Sequence, residues 1–362
     1  MRGQNVGTPR FYVCTLQWLK SLGALTASSS QWKQGNLMDL IGINPSSQKT
    51  LIIAEGNNDI GWNDTIKYST DLAPYDALMS NDKNFHMALG HNFGQSNAEI
   101  YTQLGESPYN AVASAGLINS KYDEGSVLGG FSISIGNDND DMVSSDDKGR
   151  LVFRIDWQDA TNTDYTAYLS DVKIGSLLYG NYYDMPHSPD LNLKLTYEYD
   201  GVKNVQTKGG ATLSNTSYTK PADWGNGMGA WQLGGVSNLR NGRRVWDLSF
   251  SYLSSDDIMP VVAATTNLES DNDDSGSTNP DLSQNTLLDG SANDGKGDFF
   301  SQVWNKTMGG HLPFIFNPNG GGTSPHNSPD QFAIARFDQS SLQYDQVANN
   351  VYNVKLKIRE CW

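Results

Sequence analysis

"RRVWDLSFSYL", residues 243 to 253, sets Trp246, Leu248, Phe250 and Tyr252 on one side of an extended chain and Asp247, Ser249 and Ser251 on the other. A period of two is what a strand with one wet face requires, because successive side chains point to opposite faces of a sheet. The closing segment "VYNVKLKIREC" (351 to 361) repeats the pattern, with Tyr352, Val354, Leu356 and Ile358 against Asn353, Lys355, Lys357 and Arg359. Long strands that are half polar predict an antiparallel sheet with one face solvated.

Between these two segments the rhythm changes. A polar insertion over about 254–295, rich in Asp, Asn and Ser, leads into "GDFFSQVWNKTMGG" (297 to 310). There Phe299, Phe300, Val303 and Trp304 fall on one side at helical spacing, with Asp298 as N-cap and Gly309 as stop. "LPFIF" (312 to 316) and "QFAIARFD" (331 to 338) then read as two core strands around a Gly/Pro/Asn/Ser loop, followed by "SLQYDQV" (341 to 347). Upstream, Asp200-Gly201 and Gly209-Gly210 in "LNLKLTYEYDGVKNVQTKGGATLSN" (191 to 215) are hairpin signals.

Earlier still, residues 11 to 25 predict a strand and a short helix, with Trp18, Leu19, Leu22 and Leu25 near helical spacing. "TLIIAEG" (50 to 56) and "FHMALGHNF" (85 to 93) read as short buried strands. "GGFSISIG" (129 to 136) and "RLVFRIDW" (150 to 157) predict neighbouring half-buried strands across an acidic loop. Pro186 and Pro189 punctuate the chain where its character changes, so the expected division is 1–188 and 189–362. The expectation is therefore a mainly all-β chain of two β-sandwich domains, with one helix and a long insertion in the second. The 36 Gly, 17 Tyr, 12 Phe and 9 Trp suit tight turns and pleated surfaces.

Charge narrows the function. Lys and Arg total 25 against 40 Asp and Glu, a formal −15, which repels phosphate and argues against a nucleic-acid partner. No stretch reaches the ~20 apolar residues of a membrane-spanning helix. "RFYVCTLQWLKSLGALTASSS" (10 to 30) has the outline of a secretory signal, but Gln17 and Lys20 interrupt its apolar run, so cleavage is not expected. With only Cys14 and Cys361, no disulfide framework can be proposed; two free thiols are the plainer reading and a single pairing the alternative.

The sequence offers little catalytic chemistry. His86, His91, His187, His311 and His326 lack the spacings of a zinc site, and no G-x-S-x-G, P-loop or dinucleotide pattern occurs. Asp271, Asp273, Ser275 and Gly276 open like a calcium loop, but Leu282 stands where a bidentate Glu is required; "GNDNDDM" puts Met142 where that loop needs Gly. Glycosidase chemistry needs two placed carboxylates, and no pair stands out among 40 acidic residues. Trp62, Tyr75 and Tyr109 have faces suited to stacking on sugars, although loop aromatics usually pack on their own domain. The N-x-S/T matches at 63, 215 and 305 are compositional without an export signal. No catalytic, cofactor or metal residue is assigned.

The order of the late elements carries a resemblance. "WDLSFSY" (246 to 252), "GGHLPFIF" (309 to 316) and "VYNVKLKI" (351 to 358) follow the strand, helix, strand and closing-strand order of the β-sandwich in tailed-bacteriophage distal tail and minor tail proteins. In the first half, "MALGHNF" (87 to 93), "AEIYTQL" (98 to 104) and "DVKIGSLLYGNYYDMP" (171 to 186) are similar to the discoidin-like jelly rolls of tail-tip proteins. The resemblance implies a non-enzymatic virion component without cofactors, a ring of three-fold or six-fold symmetry that contacts tube, hub and fibre proteins. It would assemble in the bacterial cytoplasm and reside in the virion tail, linking the tube to host recognition. The alternative it implies is a tail-fibre or adhesin module holding a host-surface glycan. On this reading the loop 317–329 is a contact arm onto a neighbouring subunit.

Overall fold

The computed structural model describes residues 6–27, 35–43, 49–50, 62–68, 84–89, 98–104, 117–118, 131–135, 150–157, 173–198, 202–216, 243–259, 298–322 and 331–361. In chain order the strands of the first half are β1 (Arg10–Val13), β2 (Leu25–Ala27), β3 (Lys49–Thr50), β4 (Trp62–Tyr68), β5 (Asn84–Leu89), β6 (Ala98–Leu104), β7 (Leu117–Ile118), β8 (Phe131–Ile135), β9 (Arg150–Trp157), β10 (Lys173–Ile174) and β11 (Ser176–Asp184). Those of the second are β12 (Lys194–Glu198), β13 (Val202–Gln206), β14 (Thr212–Thr216), β15 (Arg243–Ser254), β16 (Phe314–Asn317), β17 (Ala333–Phe337), β18 (Tyr344–Ala348) and β19 (Val351–Glu360). Among the described residues the helices are short: α1 (Thr15–Ser21), α2 (Leu37–Leu40), α3 (Ser255–Ile258) and a π-helical turn (Phe300–Asn305). The fold is mainly β, as composition and alternation predict.

Ten strands form one antiparallel sheet, in the order β12-β15-β19-β17-β16-β1-β11-β5-β8, with β18 added alongside β19. A second sheet runs β2-β4-β9-β6-β7, and β10-β3 and β13-β14 form two-stranded pairs. The large sheet does not stop at the 188/189 point where the sequence changes character. β1 pairs β11 on one side and β16 on the other, so Phe11 faces both Tyr183 and Phe316 in register. One hydrophobic core accordingly includes Phe11, Val13, Tyr183 and Met185 with Trp246, Leu248, Phe250, Phe316 and Leu356. The Phe11 ring lies 5.3–6.1 Å from the rings of Phe299, Phe314, Phe316 and Phe337, an aromatic cluster that binds the two parts of the sheet.

Several expectations are corrected in detail. In β15, Trp246, Leu248 and Phe250 are buried as alternation requires, but Tyr252 is 79% exposed. A register shift against β19 between Phe250 and Leu253 explains this: the extra residue puts Leu253 into the core and holds Tyr252 at φ +62°. β8 and β9 are strands but not neighbours, since β8 pairs β5 in the large sheet and β9 pairs β4 and β6 in the second. Alternation identifies a strand and leaves its partner open. The Gly209-Gly210 hairpin forms, with Gly210 at φ +84° between β13 and β14. Asp200-Gly201 lies outside the described residues, and the strands on either side of it pair elsewhere, β12 with β15 and β13 with β14.

The helix expected at Asp298 is present with wider winding. Asp298 accepts from the backbone N–H and hydroxyl of Ser301 at 2.8 and 2.6 Å, and the turn ends as Gly309 N–H donates to Trp304 C=O at 3.0 Å. The helix after β1 covers only Thr15–Ser21; Leu22 is 50% exposed and Leu25 lies on β2. The polar insertion begins later than expected, since α3 occupies 255–258 with a capping box from Ser254 and Asp257, and buries Ile258. "LPFIF" and "QFAIARFD" do pair, as β16 and β17. The loop between them is anchored at its start: Gly321 N–H donates to Thr8 C=O at 3.0 Å. A Cβ on Gly320 would meet Arg10 at 2.9 Å, so residues 320–321 are packing, not arm. Residues 323–330, "TLIIAEG" beyond Thr50 and the core of the insertion lie outside the described residues.

Candidate interaction surface

Among the described residues, those with catalytic or metal-binding potential do not converge. His86 lies on β5, His187 is half-buried with its ring 6.1 Å from that of Phe250, and His311 is exposed after the π-helical turn. His91, His326, Tyr75, Tyr109, the 136–147 acidic stretch and Asp271, Asp273, Ser275, Gly276 and Leu282 are outside the described residues. Trp62 opens β4, Asn63 follows it, Asn215 is on β14 and Asn305 ends the π-helical turn. No group of three His, Cys, Asp or Glu able to hold a metal occurs among the described residues. Cys14 and Cys361 are both free. Cys14 caps α1, its Sγ 3.4 Å from Gln17 N, and burial pushes each thiol up to about 11.

Buried charges serve the fold. Arg10 grips Asp184 bidentately at 2.5 and 2.9 Å, its guanidinium 4.0 Å from the Tyr182 ring centroid. Burial works against the Arg10 charge, but hydrogen bonding and charge interaction with Asp184 and Tyr12 together raise its pKa. Arg244 donates to both carboxylate oxygens of Glu360 at 3.1 Å and to Phe332 C=O at 2.8 Å. A bidentate guanidinium–carboxylate pair fixes the orientation of the strands that carry it, and both carboxylates are engaged in this way. Tyr183 and Tyr344 donate to the carbonyls of Asp257 and Ile258 at 2.6 and 3.2 Å, pinning α3 to the sheet. Burial raises the Asp298 carboxyl, and Ser301 opposes the shift by hydrogen bonding.

What the sequence left unseen is on the outside. Among the described residues β12 is an edge of the large sheet, bonded to β15 on one side, with Tyr197 51% exposed. An open edge presents unpaired backbone groups and is a template for another chain. Its outer face is polar and matched across strands: Lys194 stands opposite Asp247, Asp247 opposite Lys357, and Lys357 meets Asp338 at 2.7 Å. Immediately after β12, β13 and β14 leave the sheet. Among the described residues they pair only with each other, and Val205 and Leu213, directly opposite in register, are 59% and 60% exposed.

The other end of β15 carries a second exposed group. Tyr252 on the bulge donates its N–H to Asn353 Oδ1 at 3.1 Å, and Asp345 of β18 sits opposite Asn353. Val347 is 50% exposed, and Ser255 N–H at the start of α3 donates to Asn350 C=O at 3.2 Å. Gly209-Gly210 signals the hairpin but not its departure from the sheet. The bulge at Tyr252 has no sequence signal, since alternation continues straight through it.

Compared with known proteins, the chain matches no protein-family model, no curated protein and no solved structure.

Proposed function

We propose that this chain is a non-enzymatic structural component of a bacteriophage tail, a ring subunit of the distal tail, tail tip or baseplate that joins the tube to host-recognition parts. The observation that carries the reading is the open β12 edge followed at once by a hairpin that pairs with nothing else in the described structure. An isolated two-stranded hairpin is marginal in water, and an open edge invites a further strand, so both gain by contact with another chain. Buried ion pairs already engaged within the sheet supply rigidity, which repeated subunits need. Closed rings arise when such contacts are heterologous and the rotation closes. The order of the late elements, which resembles that of distal and minor tail proteins, supports a phage tail among assemblies of this kind.

In that role the chain assembles in the bacterial cytoplasm and is carried in the virion. Light scattering on the purified full chain, together with its copy number in purified virions, tests the reading. A discrete oligomer and a fixed stoichiometric copy number are expected. A strictly monomeric chain that binds a glycan array would replace the ring subunit with the adhesin.

A further inference from the structure

We infer that the β13–β14 hairpin of one copy docks on the Tyr252 corner of the next, a head-to-tail contact that rests on the ring-subunit reading above. The hairpin is cationic in an anionic protein. Residues 202–216 contain Lys203 and Lys208 and no Asp or Glu, whereas the whole chain carries −15. Lys208 is exposed at its tip, and Val205 and Leu213 form an exposed apolar pair. An apolar pair with adjoining positive charge fits a surface with exposed apolar groups and negative charge.

The Tyr252 corner has that chemistry. Tyr252 is 79% exposed and Val347 50%, and exposed Asp256 and Asp345 lie on α3 and β18 beside them. No Lys or Arg occurs in 251–259 or 339–354. The two surfaces lie at opposite ends of one strand. The hairpin begins four residues after Glu198, which pairs with Arg243 at the start of β15, and Tyr252 is nine residues further along that strand. At about 3.3 Å per residue the separation is roughly 30 Å. Different patches at opposite ends of a rigid strand make a heterologous contact between copies, the kind that propagates into a ring.

Sedimentation and light scattering of the full chain test this with charge reversals on each side. Lys208→Glu with Leu213→Asp on the hairpin, and separately Asp256→Lys with Asp345→Lys on the corner, should each weaken association by about 100-fold. Both should leave circular dichroism and thermal melting unchanged, because every altered side chain is exposed. A mixture of the two variants should form dimers and stop there, since each supplies the half the other lacks. A wild-type oligomer that persists in both variants overturns the docking inference and leaves the ring-subunit reading standing. A wild-type chain that is monomeric at all concentrations, with its hairpin cross-linking only to a different tail protein, overturns both the inference and self-assembly into a ring.

Discussion

The centre of the large sheet and its outer edge are built on different rules. In the centre, β1 and β16 are buried at every residue, and β11 at all but two. Towards the edge, β15 and β19 alternate buried with partly exposed residues, and β12 is mostly exposed. A strand covered on both faces reads as a continuous apolar run, and one covered on a single face reads as alternation. The difference locates stability in the centre and leaves the edge free to carry charge, bulges and contacts.

The comparison is tested most severely at Gly180. A Cβ there would lie 2.1 Å from Val13 C=O and 2.5 Å from Thr15 N, both backbone atoms that have no room to yield. Gly180→Ala should break the β1–β11 pairing and yield insoluble protein, or cost at least about 3 kcal/mol in a denaturant titration. Phe11→Ala removes the ring that four aromatics surround and should cost about 4 kcal/mol. Arg244→Met, nearer the edge, leaves Glu360 buried without its cation and should cost about 3 kcal/mol. Adding Glu360→Leu to that variant should return most of the loss in the same titration.

A pH titration separates the regions further. The Cys14 thiol, whose ordinary pKa is 9.0, is pushed by burial to about 11 in the folded chain. The unfolded thiol ionises first, so stability present below pH 9 is lost as pH rises towards 11, by roughly 1.4 kcal/mol per pH unit. Melting curves across that interval should fall less steeply in Cys14→Ala, with Cys361 supplying part of the slope that remains. At the outer face, Asp338→Ala removes the exposed partner of Lys357 and should change stability by less than about 1 kcal/mol. A larger loss there than in Phe11→Ala would reverse the comparison.

The edge was more legible in the sequence than the centre. Alternation alone identifies β15 and β19, and Asp298 and Gly309 mark the two ends of the helical turn. The strand "RFYV" is four residues long and followed by an apolar helix, so it reads like the start of a signal segment. Its central position depends on partners at 181–184 and 315–317, which no local pattern announces. The bulge at Tyr252 was hidden for the opposite reason: alternation there was too regular to suggest an extra residue. Gly209-Gly210 names the exposed hairpin, but that it has no third strand among the described residues is a tertiary fact.

The pairing of Phe11 with Phe316 also sets an order of events during synthesis. Between β1 and β16 the ribosome must add about 300 residues, which at 5–20 residues per second takes roughly 15–60 s. Through that interval β1 has an apolar edge without its second neighbour, and the sheet cannot close. Such long-range closure is slow and exposes intermediates to aggregation. Folding yield should therefore depend on how the growing chain is shielded, and a circular permutant that starts near residue 298 would shorten the wait.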